Sequence, residues 1–432
     1  MAVKVTAGTL ICMDDENRVF RPGAVVYEGS QISYAGSPDG YQGPLEQEIV
    51  VPDGILLPGL LNGHNHAAMS LMRGMADDSP FFEWLTQHVW PVENRLTAED
   101  IRVGSLLAAA EMIRSGTVGF ADMYFEVEAT AEAIATAGMR AWISRGLVGL
   151  EDPEGEKLNQ AVAFARDWQG KAEGRIVTML GPHAPYTCPP EYLERVAEAA
   201  KLAGVGIHIH LSESADEMKQ LQERYQRTPV QLASEAGIFA SRTLIAHGVF
   251  IGEEDLPYLQ GMTGGVITCP VSNAKLGNGI LPYAMLKEAH IPVGLGTDGA
   301  TSTNSLDMFL EMKAMAWLQK IAEGRPEGFH AAEALWAATR GTAEVLGHPG
   351  GRIAEGAPAD FIVVDGNQAH MTPEWDVVAN LVYSAVGSDV RYVVINGRIV
   401  LQEGIITTFD EAEVIREAKA RGERLMREGA KH

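Results

Sequence analysis

The chain of 432 residues is poor in cysteine, in positive charge and in long apolar stretches. Its three cysteines, Cys12, Cys188 and Cys269, lie far apart, which excludes a disulfide framework and a Cys-x-x-Cys zinc motif. Acidic residues number 57 against 34 basic ones, and the formal net charge of −23 disfavours nucleic acid and anionic membranes as partners. There is neither an apolar run of about 18 residues nor a signal-peptide pattern, so we expect a cytoplasmic protein without a membrane span.

The chain is rich in apolar residues, at 46%, and in glycine, with 46 residues. These proportions predict an ordered protein with a large core and many tight turns. Short apolar segments alternate with helical patterns through the middle of the chain, which predicts an α/β fold with a (β/α)8 TIM-like barrel. The predicted barrel strands are Ile55–Asn62, Thr117–Met123, Arg140–Gly149, Ile176–His183, Val205–Leu211, Thr243–Val249, Gly265–Ser272 and Pro292–Thr297.

Both ends of the chain are rich in short strand patterns, with a hairpin signal at Asn396-Gly397. This arrangement predicts one small β domain built from both termini, over residues 1–57 and 355–405. The barrel is expected over residues 58–354, and a C-terminal helical tail over residues 406–432.

Polar side chains of catalytic types stand at the ends of almost all the predicted barrel strands. In a barrel the carboxyl ends of the strands face the active site, so we expect these side chains to meet. They are His64, His66, Asp122, Arg145, His183, His210, Glu213, His247, Asn273 and Asp298.

A metal site is the first expectation from this set. In His64-Asn65-His66 the two imidazoles lie on one side of a strand, because side chains alternate along it. His210 and Asp298 would complete a His₃Asp set, which suits a catalytic Zn²⁺, although ligand type alone also allows Fe²⁺ or Mn²⁺. His208 is read as a buried core histidine or as a support for these ligands.

Several motifs resemble those of the amidohydrolase superfamily. They are PGLLNGHNH, HLSES, SNAKLGNG and GTDGATSTNSLDMF. Together with WPVENRLT, DMYF, SRGLVG and GPHAPYTC, they resemble the 5-methylthioadenosine/S-adenosylhomocysteine deaminases over nearly the whole chain. The resemblance places one divalent metal per chain on His64, His66, His210 and Asp298. Some members of the superfamily hold two metals through a carbamylated lysine on strand four, but Ile176–His183 contains no lysine.

The resemblance implies hydrolytic deamination of an adenine nucleoside, namely 5′-methylthioadenosine, S-adenosylhomocysteine or adenosine. Metal-activated hydroxide would attack purine C6 and release ammonia and the inosine analogue. Glu213 would shuttle protons, while His247 and Asp298 would orient the water and accept its proton. The alternative for Glu213 is a solvated N-cap of the predicted helix Ala215–Tyr225.

Substrate-binding roles also follow from the resemblance. Glu93 would bind the ribose hydroxyls, His183 the purine and Arg145 another part of the substrate, with Glu213 and Asp298 beside the reacting carbon. Lys157 occupies the position of a second arginine that faces the amino-acid carboxylate in some family members. Glu93 as a surface acid and Arg145 as a partner of Asp122 remain alternatives, and Phe81, Phe82, Trp84 and Trp90 are either a lid for a thioether tail or simply core.

Other functions remain open at this point. A triazine hydrolase or chlorohydrolase, or a guanine, pterin or cytosine deaminase, would use the same metal site. A metal-binding barrel without turnover is the second alternative. The expected partner is a small nucleoside, with no nucleic acid and no membrane, and a homo-oligomer is left open.

Overall fold

The computed structural model describes residues 2–429 and contains two β-sheets. A nine-stranded sheet is built from both ends of the chain, and an eight-stranded parallel sheet from its middle. The strands, in chain order, are β1 Ala2–Ile11, β2 Val19–Phe20, β3 Gly23–Glu28, β4 Gln31–Gly36, β5 Gln47–Pro58, β6 Leu60–Asn65, β7 Thr117–Tyr124, β8 Arg140–Leu147, β9 Ile176–Pro182, β10 Gly206–Leu211, β11 Thr243–His247, β12 Gly264–Thr268, β13 Val293–Leu295, β14 Phe361–Asp365, β15 Val390–Ile395, β16 Arg398–Gln402 and β17 Ile405–Ile406.

The parallel sheet runs in sequence order from β6 to β13 and is nearly closed into a barrel. Its first and last strands approach each other through Asn62, whose side chain donates to Thr297 Oγ1 at 2.8 Å and accepts from Thr297 N–H at 2.9 Å. Farther along, the backbone N–H of Asp298 donates to the carbonyl of His64 at 2.9 Å. The predicted (β/α)8 barrel with a small β domain is thereby confirmed.

The first barrel strand begins later than the sequence predicts. Residues Ile55–Pro58 belong to β5 in the terminal sheet, and the chain passes into the barrel at Gly59. A Cβ on Gly59 would lie 2.1 Å from Val118 Cγ1, so only glycine fits this passage. The prediction of one strand over Ile55–Asn62 is therefore wrong in its bounds, because two apolar strands of different sheets follow each other with only Gly59 between them.

The terminal sheet unites the two ends of the chain through β5. This strand pairs in parallel with β1 and antiparallel with β14, so it stands between the N-terminal and the C-terminal strands. The two termini thus form one small domain. The boundaries expected at residues 57, 354 and 405 remain predictions, and residues 430–432 of the expected tail lie outside the described residues.

Helices cover the outside of the barrel and include a C-terminal helix that packs against the helix before β7. None of the helices within residues 2–429 is long and apolar enough to cross a membrane. The helices are α1 Phe81–Glu83, α2 Trp90–Glu93, α3 Ala98–Arg114, α4 Val127–Ala137, α5 Glu156–Trp168, α6 Lys171–Gly174, α7 Pro190–Ala203, α8 Ala215–Tyr225, α9 Pro229–Glu235, α10 Leu256–Leu259, α11 Pro270–Lys275, α12 Tyr283–Glu288, α13 Met308–Glu323, α14 Ala331–Trp336, α15 Thr342–Leu346, α16 Val377–Tyr383 and α17 Glu411–Gly429.

A buried ion pair joins the two sheets. Arg140 at the start of β8 donates from Nε to Asp360 Oδ2 at 2.6 Å, and Asp360 immediately precedes β14. The side chain of Asn396 accepts from the same guanidinium at 2.8 Å, and its backbone N–H donates to Asp360 Oδ1 at 2.7 Å. His348 Nε2 lies 3.3 Å from Asp360 Oδ2. This polar junction fixes the small domain against the barrel.

Candidate metal centre and active site

Four side chains converge at the carboxyl end of the barrel: His64 on β6, His66 just after it, His210 on β10 and Asp298 in the loop after β13. His64 Nε2 and His66 Nε2 lie 3.4 and 3.3 Å from Asp298 Oδ1. His210 Nε2 lies 3.3 Å from His66 Nε2. His64 is fully buried, and its Nε2 has no hydrogen-bond partner within residues 2–429. Three imidazole nitrogens and one carboxylate oxygen around one point form a donor set that fits a divalent metal ion.

The second ring nitrogens of two of these histidines are held by backbone carbonyls. His66 Nδ1 lies 2.6 Å from the carbonyl oxygen of Met123, and His210 Nδ1 lies 2.8 Å from that of His183. A carbonyl only accepts, so each Nδ1 carries a proton and each Nε2 is directed at the candidate metal position. Burial acts to lower the pKa of His66, but the hydrogen bond and charge of Asp298 raise it to about 9, so a bound metal would take the place of the proton on His66 Nε2. This arrangement orients both rings as metal ligands.

His64 is supported by a third imidazole in the barrel interior. Its Nδ1 lies 2.7 Å from His208 Nε2, and His208 Nδ1 lies 3.3 Å from Ser144 Oγ. Burial lowers the pKa of His208 well below its ordinary value, so this ring is neutral. His208 thus has the supporting position that its place on the strand suggested.

The two oxygens of Asp298 have different partners. Oδ2 accepts hydrogen bonds from the hydroxyls of Ser272 and Ser302 at 2.7 and 2.8 Å. Oδ1 accepts from Gly299 N–H at 2.8 Å and faces the two histidines of β6. Burial acts to raise the pKa of Asp298, but these facing imidazoles hold it well below its ordinary value. The carboxylate is therefore ionised and directs one oxygen at the candidate metal position.

His247 lies at the end of β11 in a left-handed conformation, with φ of 73°. Its Nδ1 lies 3.0 Å from Asn273 Oδ1, and its Nε2 lies 3.8 Å from Glu213 Oε1. Its ligand atom also groups with those of His64 and His210 within 4.8 Å. His247 is thus a strained residue whose Nε2 lies near both the candidate metal position and Glu213.

Glu213 follows β10 and is only 5% exposed. Ser214, not Glu213, is the N-cap of α8, because its hydroxyl accepts from the backbone N–H of Glu217. The N-cap alternative for Glu213 is therefore wrong. Asn278 Nδ2 lies 3.4 Å from Glu213 Oε1. Burial, and then the charge of Asp298, raise the pKa of Glu213 well above its ordinary value, so it holds a proton that a charged surface acid would not.

A pocket opens above these residues. It combines three of the candidate metal ligands, His66, His210 and Asp298, with a mainly apolar wall. Its lining residues are His66, Met69, Phe81, Trp84, Leu85, Trp90, Glu93, Met123, Tyr124, Phe125, Gly146, Val148, His183, Tyr186, His210, Glu213, His247 and Asp298.

Glu93 lies on α2 at the wall of this pocket, not on the surface. Its Oε1 is buried and lacks a hydrogen-bond partner in the described part of the chain, as does the hydroxyl of Tyr124. Burial raises the pKa of Glu93, against the opposing effects of Tyr124 and His66. The sequence reasoning did not assign Tyr124 a role, although it lies in the DMYF motif.

His183 follows β9 and also lines the pocket. Its Nδ1 lies 3.0 Å from Thr187 Oγ1. Burial, and then the charge of His66, lower its pKa to about 4, so the ring is neutral at physiological pH. A neutral imidazole is suited to hydrogen bonding with an uncharged heterocycle.

Arg145 and Asp122 do not form the pair that the sequence left open. Asp122 Oδ1 instead accepts from the backbone N–H of Ala67 at 2.7 Å, which holds the turn after His66. Arg145 is half-buried on β8, and its Nε is without a hydrogen-bond partner in the part of the chain that the structure describes. It is absent from the described lining of the pocket, whereas its neighbour Gly146 belongs to it.

Lys157 does not come together with the other predicted site residues. It lies on α5, where Nζ is 3.1 Å from Glu151 Oε2, and their side chains are 41% and 67% exposed. Among the described residues, neither of these two lines the pocket. The prediction rests on the spacing from Arg145, whereas the ammonium of Lys157 lies beside a neighbouring acid.

Of the four aromatic residues that the sequence offered as a lid or as core, three line the pocket and one packs beside it. Phe81, Trp84 and Trp90 line the pocket, on a helical segment that contains a π-turn over Trp84–Val89. Phe82 instead packs against Tyr186 with ring centroids 5.6 Å apart. The three aromatic residues thus form part of an apolar wall. Leu85 and Met69 also belong to this wall, although the sequence did not predict them.

Comparisons with known proteins agree with this geometry. The model of the amidohydrolase family matches residues 55–400. The chain is 42% identical over 429 residues to the 5-methylthioadenosine/S-adenosylhomocysteine deaminase of Pelotomaculum thermopropionicum, covering 98% of this chain and 99% of that protein. It is also 42% identical over 419 residues to the 5′-deoxyadenosine deaminase of Methanosarcina mazei, with 96% of each chain covered.

A solved structure is similar over almost the whole chain. It is an adenosine deaminase from Xanthomonas campestris with bound zinc, with a TM-score of 0.94, 30% identity and 98% of each chain covered. The family match and the identity to these relatives extend over both the barrel and the terminal strands. The chain therefore belongs to the amidohydrolase family, as its motifs predicted.

Proposed function

We propose that the protein is a metal-dependent aminohydrolase that converts an adenine nucleoside and water to the inosine analogue and ammonia. The observation that carries this proposal is the convergence of the donor atoms of His64, His66, His210 and Asp298 beside Glu213 in one pocket. The named relatives at 42% identity are deaminases of such nucleosides.

The four converging residues would hold one divalent cation, with zinc as the first choice and iron or manganese as alternatives. Three imidazoles and the ionised carboxylate form a donor set that fits such an ion, and β9 carries no lysine for a second one. When bound, the cation supplies a Lewis acid that makes a nucleophile from water available at neutral pH.

Glu213 and His247 would move the protons of the reaction. Protonated Glu213 gives its proton to the ring nitrogen next to C6, and takes another from the attacking water to pass to the leaving ammonia. His247 Nε2, 3.8 Å from Glu213 Oε1, faces the same position and orients the water together with Asp298. The raised pKa of Glu213 favours this exchange, because the group must both hold and return a proton.

Glu93 and His183 would select the substrate. The unpartnered Oε1 of Glu93 accepts from the ribose hydroxyls, and the neutral ring of His183 hydrogen-bonds the purine. Arg145 remains a proposed substrate contact. For Lys157, a contact would require Nζ to leave Glu151, so we expect 5′-methylthioadenosine to react at least as efficiently as S-adenosylhomocysteine.

An ammonia-release assay tests this function. The metal-loaded protein is given adenosine, 5′-methylthioadenosine, S-adenosylhomocysteine, guanine and an aminotriazine, and a chlorotriazine is added with chloride release as the readout. We expect turnover of the adenine nucleosides above the others. Turnover of guanine or a triazine alone would replace the proposal by one of those activities, and no turnover with bound metal would favour a non-catalytic barrel. The cytoplasmic location and a homo-oligomeric state remain predictions.

A further inference from the structure

A buried glutamate on α13, outside the set of pocket residues, connects two loops of the site. Glu311 is 1% exposed. Its Oε2 accepts from the backbone N–H of Val271 at 3.0 Å, and its Oε1 lies 3.2 Å from Thr303 Oγ1. Val271 lies in the first turn of α11, just after β12, and Thr303 follows β13, so one carboxyl group contacts the segments after both strands.

Each of these two contacts is next to a serine that holds Asp298. Val271 precedes Ser272, and Thr303 follows Ser302. The two serine hydroxyls donate to the same oxygen, Asp298 Oδ2, at 2.7 and 2.8 Å. Glu311 therefore anchors the backbone on which both of these donors stand.

We propose that Glu311 is a positioning residue for Asp298, acting through Ser272 and Ser302. The inference rests on the proposed function, in which Asp298 Oδ1 is a metal ligand. Asp298 has a φ of 67°, a left-handed conformation that persists only where the surroundings hold it. With Oδ2 fixed by two hydroxyls, Oδ1 is the oxygen that remains directed at the histidines.

The chemistry of a carboxyl group explains why glutamate stands here. One oxygen accepts from the Val271 N–H and the other pairs with the Thr303 hydroxyl, whereas an apolar side chain can do neither. Burial raises the pKa of Glu311 well above its ordinary value. Methionine would fill a similar volume without the cost of burying a polar group. Bonding to both segments is therefore the function of this side chain, and it transmits that constraint to the two serines.

The test compares Glu311→Met with Glu323→Met, a control on the same helix whose partly exposed carboxylate pairs with Arg325. Zinc affinity is measured by competition with a chelator, and kcat and KM are measured on 5′-methylthioadenosine. Residues that orient metal ligands typically contribute about 10–100-fold to affinity or activity. We expect a loss of about 10–100-fold in zinc affinity or kcat in Glu311→Met at nearly unchanged KM, and changes within about twofold in the control.

A double-substituted background separates positioning from general stability. In Ser272→Ala/Ser302→Ala protein, Glu311→Met should cause less than about a twofold further loss, because its route to Asp298 is gone. A full further loss contradicts the proposal, as does a lower Tm of Glu311→Met with unchanged zinc affinity and kcat. A parent that binds no zinc contradicts the proposed function itself, whereas a zinc-binding parent matched by Glu311→Met contradicts this inference alone.

Discussion

The protein contains two buried polar regions that are built differently. At the junction of the sheets, Arg140 and Asp360 contact each other and Asn396, and His348 reaches the same carboxylate. Both oxygens of Asp360 accept hydrogen bonds from these neighbours. This region is satisfied by the protein itself, as buried charges in a structural role must be.

The carboxyl end of the barrel is incompletely satisfied. In the described residues, His64 Nε2, Glu93 Oε1, the Tyr124 hydroxyl and Asn273 Nδ2 are buried without partners. His247 and Asp298 also hold left-handed backbone conformations there. Unpartnered polar atoms and strained residues in one place indicate a site prepared for groups that the chain does not supply. The comparison teaches that the completeness of hydrogen bonding distinguishes a structural polar cluster from a functional one.

Removal of a metal ligand at the carboxyl end of the barrel should have the largest effect on metal content and activity. We expect His210→Ala to lose most of one zinc per chain and nearly all deaminase activity, because one of four donors is gone. Metal analysis after chelation and reloading checks this, with His330→Ala at an exposed N-cap as the control. Full occupancy in His210→Ala, or a need for two metals per chain, would contradict a mononuclear site.

Replacement of the proton carrier should leave the metal in place. We expect Glu213→Gln to bind zinc and substrate but to lose about 10²–10⁴-fold in kcat, because an amide cannot take up and return a proton. Asp216→Asn, at an exposed position three residues later, is the matched control. A Glu213→Gln enzyme within about threefold of the parent would remove Glu213 from the proton path.

Disrupting the Arg140–Asp360 junction should reduce the stability of the protein without changing catalysis. We expect Arg140→Met to lower the free energy of unfolding by roughly 3–5 kcal/mol, because Asp360 is left buried without its cation. Chemical denaturation measures this, with kcat of the folded enzyme as the second readout. The pair Arg140→Met/Asp360→Leu should recover part of the loss. An unchanged stability of Arg140→Met would show that the junction does not fix the small domain.

The junction should also make stability depend on pH. Burial acts to raise the pKa of Asp360, but His348 and Arg140 outweigh it, so the pKa lies below its ordinary value of 3.8. The folded state therefore binds this proton more weakly than the unfolded state, and the stabilisation is present above pH 3.8 and lost as pH falls through the folded pKa. Tm measured from pH 7 downwards should fall less steeply in Asp360→Asn than in the parent. Equal slopes would contradict this role.

The smallest effect is expected at Lys157, whose exposed pair with Glu151 is worth about 0–1 kcal/mol. The parent should deaminate 5′-methylthioadenosine at least as efficiently as S-adenosylhomocysteine, with the two kcat/KM values within about tenfold. Because Nζ lies on Glu151 and outside the described pocket lining, Lys157→Arg should change this ratio by less than about twofold. A larger change, absent from Glu151→Gln, would show that the side chain at 157 reaches the substrate tail.

The sequence was most informative where a single residue type at a strand end indicates a function. His64, His66, His210 and Asp298 could be assembled from alternation along a strand and from the rule that strand ends meet. Lys157 lies beside Glu151 and not in the described pocket lining, because spacing along a loop does not determine where a long, flexible side chain points. Its contact with the substrate stays a prediction. Glu311 was not foreseen, since its importance lies in contacts with two loops that are distant in sequence.

The sequence alone thus determined the order of strands and helices, the barrel class and the candidate metal ligands. Hydrophobic periodicity and the residue types at strand ends can be read directly from it. Only the tertiary structure decided that Ile55–Pro58 belongs to the terminal sheet and that Ser214 caps α8. It also decided which polar atoms remain unpartnered within residues 2–429. Hydrogen-bond satisfaction and the pKa shifts that follow from burial depend on neighbours brought together from separate strands, and no local pattern contains them.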